Sequence, residues 1–244
     1  MYLNLKDGEK LDDLRRGGLK IIQHPQAPCF ALDAILLADF ANPKAQGTVA
    51  EFGTGTGIIS ILLAHKQPTC HIHALEMMPQ MADMAKRSIA LNSLDKNIDI
   101  IEKDMRQAAM HLGKASCQTV VSNPPYYACH SGKDNEHELK AAARSERFCT
   151  IDDLLREAAA VLCPRGELYL IHRASRFADV LKAVFAEGLR PQTLRLVQPF
   201  ATKPANLFLL KAIKNGKAET MLPPPLIIYE SPGKYTKEMQ LIYG

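Results

Sequence analysis

Short apolar runs alternate with longer amphipathic stretches along most of the chain from Val49 onward. The short runs are rich in aliphatic and β-branched residues, as buried strands are, and the longer ones space their apolar residues as helices do. This pattern predicts seven strands, at residues 48–52, 70–76, 97–104, 119–123, 167–173, 193–200 and 206–214. It predicts helices between them at residues 58–65, 79–92, 151–162 and 175–187, the third with Thr150 as its N-cap. Strands that alternate with helices are typical of a mostly parallel sheet.

The order of these elements predicts one α/β domain with a doubly wound, mostly parallel sheet of seven strands and an antiparallel last strand. An N-terminal extension at 1–45 precedes a core at 46–214, and a C-terminal tail at 215–244 packs on the core. The extension is expected to hold a short hairpin and a helix over the apolar segment 29–41. Residues 127–147 and the tail, with its prolines at 223–225, are expected to be loops.

Composition favours a folded protein that stays in the compartment where it is made. Hydrophobic residues make up 47% of the chain and charged residues 23%, which is enough apolar material for a sizeable core. No apolar run is long enough to span a bilayer, and the first residues contain no apolar signal-peptide segment. The six cysteines are scattered without a CxxC pair, as is typical of reduced thiols. We therefore predict a cytoplasmic protein, and its net charge of +4 permits a polyanionic partner.

A glycine-rich loop at residues 53–57 (GTGTG) separates the first core strand from its helix. Glycine permits a sharp turn there and lets a ligand lie against bare backbone. The spacing is GxGxG, whereas a dinucleotide fingerprint requires GxGxxG, which disfavours a nicotinamide oxidoreductase. Glu51 precedes the loop, and Glu76 and Asp104 end the next two predicted strands, where acidic side chains can hold a nucleoside. The set predicts a nucleoside across the strand ends; a generic turn with two chance carboxylates is the alternative.

The fourth predicted strand ends in Asn123-Pro124-Pro125-Tyr126. Two prolines end the sheet pairing and fix a stiff turn, and rigidity is what a positioned reaction centre needs. The carbonyl oxygens of the Asn123 side chain and the Pro124 backbone can both accept hydrogen bonds from one amino group. They would stabilise the positive charge that grows on a planar nitrogen during methyl transfer. Tyr126 would stack on the face of a base. The alternative is a structural turn with a surface tyrosine. The position of the motif one strand beyond the glycine loop favours a catalytic role instead.

These residues resemble those of class I S-adenosylmethionine-dependent methyltransferases of the NPPY type. Segments along nearly the whole chain are similar to the bacterial tRNA1(Val) adenine-N6 methyltransferases, namely residues 30–38 (FALDAILLA), 123–127 (NPPYY), 143–146 (ARSE), 203–206 (KPAN), 225–229 (PLIIY), 235–236 (YT) and 243–244 (YG). The resemblance implies the Rossmann-like class I methyltransferase fold and S-adenosylmethionine as the cofactor. It also implies N6-methylation of the adenosine at tRNA position 37, beside the anticodon.

The resemblance also assigns roles to single residues. The cofactor-binding residues are expected to be Glu51, Gly53, Thr54, Gly55, Gly57, Glu76, Met77, Asp104, Met105 and Asn123. Glu51 and the glycines would hold the methionine part, Glu76 the ribose and Asp104 the adenine amino group. The catalytic residues would be Asn123, Pro124, Pro125 and Tyr126, and the substrate-binding residues Phe30, Tyr126, Tyr127, Arg144, Arg147 and Lys203. The fold family usually carries aspartate where Glu51 stands, so the contact of this longer side chain is left open.

The NPPY motif does not by itself name the substrate. A ribosomal RNA base and a release-factor glutamine amide remain open as substrates, because an amide poses the same planar-nitrogen problem. A non-catalytic nucleoside- or RNA-binding role also remains open. The expected partner is the anticodon stem-loop of a tRNA. Neither membrane association nor a bound metal ion is expected, and the protein can be a monomer or a homodimer. His71 and His73 are expected to face a helix or solvent, and Cys129, His130 and His137 match no zinc pattern.

Overall fold

The computed structural model describes residues 5–25, 32–124, 149–217 and 219–243. Its N-terminal part has the expected hairpin, in which β1 (Lys10–Asp13) pairs antiparallel with β2 (Lys20–Gln23). The expected helix follows as α1 (Leu32–Phe40). None of the described helices is both long and apolar enough to cross a membrane. The four cysteines in the described ranges, Cys70, Cys117, Cys149 and Cys163, form no disulfide.

An eight-stranded sheet forms the centre of the fold. Its strands are β3 (Thr48–Phe52), β4 (His71–Leu75), β5 (Ile98–Ile101), β6 (Cys117–Ser122), β7 (Leu162–Arg173), β8 (Leu189–Gln198), β9 (Leu207–Lys214) and β10 (Leu226–Ile227). They are arranged in the order β10-β8-β9-β7-β6-β3-β4-β5. β9 runs antiparallel to both of its neighbours, and every other pair is parallel. The predicted doubly wound, mostly parallel sheet with an antiparallel last long strand is therefore confirmed.

Helices connect successive strands of the sheet. In the described residues these are α2 (Ile58–Lys66), α3 (Pro79–Leu91), α4 (Ala108–Leu112), α5 (Ile151–Val161) and α6 (Phe177–Ala186), with short 3-10 turns at Met105–Gln107 and Ala174–Arg176, and α7 (Lys237–Tyr243) lies near the end of the chain. The predicted N-cap of α5 is confirmed. The Thr150 hydroxyl accepts the backbone N–H of Asp153 at 3.1 Å, and the Asp153 carboxylate accepts the Thr150 N–H at 3.2 Å. This reciprocal pair satisfies two backbone donors that the start of a helix leaves unpaired.

Both faces of the sheet are buried along its central strands, such as β3 and β6, so those strands read as largely apolar runs. Successive side chains of a strand point to opposite faces. On β3, Val49 packs in the layer that contains α1 and α2, together with Ile72 of β4. Phe52 packs in the opposite layer with Leu154 of α5 and Leu168 of β7. The sheet is thus a rigid platform whose strand ends carry the loops.

The prediction that the tail from Asn215 is a loop was wrong from Leu226 onward, although the described residues between β9 and β10 form no helix or strand. β10 adds an eighth strand by pairing parallel to β8, with Leu226 opposite Val197. A small hairpin of β11 (Tyr229–Ser231) and β12 (Lys234–Tyr235) follows, and then α7. The tail is ordered because Ile228, Met239 and Ile242 are buried in the same hydrophobic layer as α1. Segments of two or three residues carry no periodic signal of their own, so their order depends on this packing.

Truncating a buried tail residue tests whether the tail belongs to the core. Met239 is fully buried, whereas Leu241 on the same helix is 83% exposed. We expect Met239→Ala to lower the free energy of unfolding by about 2–4 kcal/mol, because it leaves a cavity. The matched control Leu241→Ala should change it by less than about 0.5 kcal/mol. Urea unfolding measures both values, and equal small effects would show that the tail does not contribute to the core.

Candidate active site

Three neighbouring strands deliver predicted site residues to one edge of the sheet. Glu51 is the last residue but one of β3, Glu76 directly follows β4, and Asn123 directly follows β6. β3 lies between β4 and β6 and runs parallel to both, so these side chains start from the same edge. The Ser122 hydroxyl donates a hydrogen bond to the carbonyl oxygen of Phe52 at 3.0 Å, which ties the ends of β6 and β3 together. The structure thus brings together residues that are far apart in sequence.

The glycine-rich loop has a backbone conformation that favours glycine. The φ angle is +72° at Gly53, +60° at Gly55 and +92° at Gly57, in the left-handed region. The backbone N–H groups of Gly53 and Thr54 donate to the carbonyl oxygen of Leu75, at 3.0 and 3.1 Å, and so fasten the loop to the end of β4. A Cβ atom added to Gly53 would meet no described atom within 4 Å. The bare backbone there borders open space that a ligand can occupy.

The Glu76 carboxylate fixes the loop from the other side. Its Oε2 accepts the Gly55 N–H at 2.9 Å, and its Oε1 accepts the Met78 N–H at 2.8 Å. Burial raises the pKa of Glu76, and these backbone N–H groups oppose the shift. Each carboxylate oxygen can accept a second hydrogen bond. Glu76 can therefore bind two hydroxyl groups while it continues to hold the loop.

Glu51 is buried behind the loop, and part of its hydrogen-bonding capacity is unused. Its Oε2 accepts a hydrogen bond from the Ser60 hydroxyl on α2. Its Oε1 and the Thr54 hydroxyl oxygen are shielded from solvent and have no hydrogen-bond partner among the described residues. Burial raises the pKa of Glu51 to about 7. The hydroxyl groups of Ser60 and Thr54 oppose this shift, and the Glu76 carboxylate adds to it. Buried polar atoms without partners are rare, and here they fit a ligand that donates hydrogen bonds.

Asp104 lies beyond β5 rather than at its end, because the strand stops at Ile101. It caps the 3-10 turn Met105–Gln107, where its Oδ1 accepts the backbone N–H of Arg106 at 2.9 Å. Its Oδ2 accepts hydrogen bonds from Nε and Nη2 of the Arg106 guanidinium, at 2.9 and 2.5 Å. Burial acts to raise the pKa of Asp104, but Arg106 outweighs it and holds the pKa below its ordinary value. The contact predicted between Asp104 and an adenine amino group stays a prediction.

A pocket opens beside Pro124 at the carboxyl ends of β6 and β7. Its walls include Met105, Pro124, Ile151, Leu154, His172 and Arg176. The imidazole of His172 is buried, and burial lowers its pKa to about 4, so the ring is neutral at neutral pH. Its Nδ1 accepts the backbone N–H of Arg173 at 2.9 Å, which assigns the ring hydrogen to Nε2. The sequence analysis missed His172, although its place at the end of the strand beside β6 was a usable signal.

The other predicted residues fall into two groups. Lys203 is exposed in the turn after β8, at the same sheet edge, and Met77 is exposed beside Glu76. The second group, Phe30, Pro125, Tyr126, Tyr127, Arg144 and Arg147, lies outside the described residues. Their assigned roles stay predictions.

Known proteins resemble this chain in sequence and in structure. Residues 32–190 match the family described as methyltransferase small domain. A tRNA1(Val) (adenine(37)-N6)-methyltransferase of Photobacterium profundum is 25% identical over 208 residues, which cover 84% of this chain and 85% of that protein. One of Histophilus somni is 28% identical over 211 residues, 86% of each chain. The crystal structure of a predicted O-methyltransferase from Agrobacterium tumefaciens has the same fold, with a TM-score of 0.68, 23% identity, and coverage of 86% of this chain and 94% of that one.

The raised pKa of Glu51 predicts how the stability of the ligand-free protein depends on pH. From pH 4.5 to about 7 the unfolded chain releases this proton while the folded protein keeps it, so stability falls as pH rises through this window. We expect the free energy of unfolding of the wild type to fall, relative to Glu51→Gln, by up to about 3 kcal/mol across that window. Urea unfolding of both proteins as a function of pH measures the difference. Parallel curves would show that Glu51 ionises normally in the fold.

Proposed function

Since the chain belongs to the methyltransferase small domain family, we propose that it transfers the methyl group of S-adenosylmethionine to N6 of an adenosine in tRNA, at position 37 of tRNA1(Val). The observation that carries the proposal is that Asn123 and Pro124 directly follow β6, the strand beside β3 and its glycine loop. The relatives from Photobacterium and Histophilus bear the name of this activity and align over most of the chain, which supports the substrate. A tRNA substrate would place the reaction in the cytoplasm.

The residues around the glycine loop fit S-adenosylmethionine. When bound, this cofactor supplies a methyl group on a positively charged sulfur, so the carbon is electrophilic. Glu51 Oε1 and the Thr54 hydroxyl would bind the ammonium group of its methionine part, which satisfies both buried atoms that lack partners. The open space at Gly53 would admit that part against the backbone. Glu76 would accept hydrogen bonds from the ribose hydroxyls, because each of its carboxylate oxygens has a lone pair that is not used by the backbone N–H groups.

Asn123 and Pro124 would hold the nitrogen that is methylated. The Asn123 side-chain oxygen and the Pro124 carbonyl oxygen accept one hydrogen each from the adenine amino group. This makes the nitrogen more pyramidal and frees its lone pair from the ring. The two carbonyl dipoles would stabilise the positive charge that grows on the nitrogen as it takes the methyl group. Amide carbonyls are too weakly basic to keep a proton, so the surplus proton leaves to solvent.

The surroundings of Pro124 suit this chemistry in two ways. The proline ring fixes φ, and the hydrogen bond from Ser122 to Phe52 anchors the preceding strand end, so the acceptors do not have to be ordered during the reaction. His172 in the adjacent pocket is neutral, and an imidazolium there would oppose the growing positive charge. The guanidinium of Arg176 lies 2.8 Å from the Asp179 carboxylate, which offsets its charge.

Asn123 provides the direct test of the reaction. The protein is incubated with labelled S-adenosylmethionine and tRNA that lacks the modification, and the nucleosides are identified by mass spectrometry. We expect N6-methyladenosine, formed about 100- to 1000-fold more slowly by Asn123→Ala, which loses one acceptor. Asn123→Asp is the matched control and should keep more activity, because a carboxylate oxygen still accepts the hydrogen bond.

The same assay includes ribosomal RNA and a release factor. Label on a ribosomal base or on a glutamine amide, with none on tRNA, would overturn the tRNA substrate and leave methyl transfer in place. Binding of S-adenosylmethionine without label on any acceptor would instead favour a non-catalytic protein.

Gly53 tests the proposed cofactor site. We expect Gly53→Ala to weaken S-adenosylmethionine binding at least about tenfold, because the new methyl group occupies the space beside the loop. Gly18 in the β1–β2 turn is the matched control, since its φ of +71° is nearly the same and an added Cβ also meets no described atom within 4 Å. Both variants should lose about 1 kcal/mol of stability from backbone strain. Calorimetry measures the affinity, and equal cofactor affinity in the two variants would contradict the assigned site.

A further inference from the structure

Two histidines and one aspartate meet on one face of the sheet, away from the site described above. His71 and His73 are alternate residues of β4, so both side chains point to the same face. Asp99 of β5 is directly opposite His73 in the register of the two strands and shares that face. Parallel pairing of β4 and β5, rather than nearness in sequence, brings the three side chains together.

The donor atoms of these side chains converge. Asp99 Oδ2 lies 2.8 Å from His71 Nε2 and 3.5 Å from His73 Nδ1. One donor atom from each residue can be chosen so that all three lie within 4.8 Å of one another. Three ligand atoms on a tetrahedral zinc ion are about 3.3 Å apart, since the metal–ligand distances are about 2.0–2.2 Å. Small rotations of these partly exposed side chains would therefore bring the group to the geometry of a metal site.

One nitrogen in the group lacks a partner. His73 Nδ1 is shielded from solvent and makes no hydrogen bond with any described residue, although it lies 3.5 Å from Asp99. The two imidazole rings stand edge to face, with centroids 4.8 Å apart, so they do not stack on each other. A buried nitrogen that faces a carboxylate without a hydrogen bond is a position that a metal ion would satisfy.

We propose that His71, His73 and Asp99 bind a divalent transition-metal ion, with Zn²⁺ as the representative. Two imidazoles and one carboxylate favour zinc and its neighbours over Mg²⁺ and Ca²⁺, which prefer oxygen ligands alone. The side chains of His71, His73 and Asp99 are 42%, 27% and 54% exposed, so an ion can enter from solvent and keep water as its fourth ligand. The sequence pattern did not reveal the site, because Asp99 joins it through strand pairing alone.

The position of the site defines its effect. His71 begins β4, whereas Glu76 follows the end of that strand, so the ion would lie roughly 10–16 Å from the glycine loop. β5 is one of the two edge strands of the described sheet. A bound ion would join this edge strand to β4 and stabilise the fold, and it would take no part in methyl transfer.

Zinc binding to the full chain without an affinity tag tests the proposal. Isothermal titration with ZnCl₂ should show one ion per chain and a zinc-dependent rise in Tm. His71→Ala and Asp99→Asn should each weaken zinc binding at least about tenfold and remove the rise in Tm, because even outer partners of metal ligands contribute about 10- to 100-fold. His111→Ala, which removes an exposed imidazole from α4, is the matched control and should bind zinc like the wild type. MgCl₂ should give no comparable heat.

The absorption spectrum of the Co²⁺-substituted protein identifies the ligands. A four-coordinate spectrum without thiolate charge-transfer bands, lost in His71→Ala, is the expected result. Thiolate bands would assign the ion to cysteine and overturn the proposal. Zinc affinity that is unchanged in both His71→Ala and Asp99→Asn, or no binding at one equivalent, would overturn it as well.

Discussion

The hydrogen bond from the Gly55 N–H to the Glu76 carboxylate is the contact on which the site depends. It joins the connection after β3 to the connection after β4, and the carbonyl oxygen of Leu75 reinforces it by accepting two further N–H groups of the loop. A loop with three positive φ angles holds this shape only when its donors are paired from outside. Once the loop is fixed, Gly53 borders open space. The hydrogen bond from the Ser122 hydroxyl to the Phe52 carbonyl oxygen holds the end of β6 beside the loop. The geometry of the site follows from a few backbone contacts between adjacent strand ends.

Two buried carboxylates at this point favour a cationic ligand. Burial raises the pKa of both Glu51 and Glu76, because a carboxylate shielded from water is harder to ionise. A ligand with an ammonium group and a sulfonium would stabilise the charged carboxylates, whereas the pyrophosphate of a dinucleotide would be repelled. This electrostatic argument agrees with the GxGxG spacing. Glutamate also suits the position where the fold family usually carries aspartate, because its Oε2 reaches Ser60 on α2 while Oε1 stays available.

The long elements and the glycine loop could be predicted because their signals are local. The strand Thr48–Phe52 is a short run, mostly apolar apart from Thr48 and Glu51, that ends before a glycine. Thr150 caps its helix through Asp153, three positions away. The rest depends on contacts that sequence does not show. β10 has two residues and exists because β8 and the buried Ile228 hold it. Asp104 is paired with Arg106 because β5 ends early in a 3-10 turn, and Asp99 meets the histidines through strand register.

The tail segments that resemble the tRNA methyltransferases, at residues 225–229 and 235–236, contribute packing contacts. Ile228 is buried, Tyr229 and Tyr235 stack with ring centroids 5.1 Å apart, and the Thr236 hydroxyl accepts the Met239 N–H at 3.2 Å at the start of α7. The acceptors at Asn123 and Pro124 suit any planar amino group, so they do not select among substrates. β8 and β10 end at the same edge as β6, and three strand spacings, roughly 14 Å, separate the ends of β6 and β8. Any contact between the tail and the substrate therefore requires a macromolecule that extends well beyond the methylated group, as both an RNA and a folded protein do.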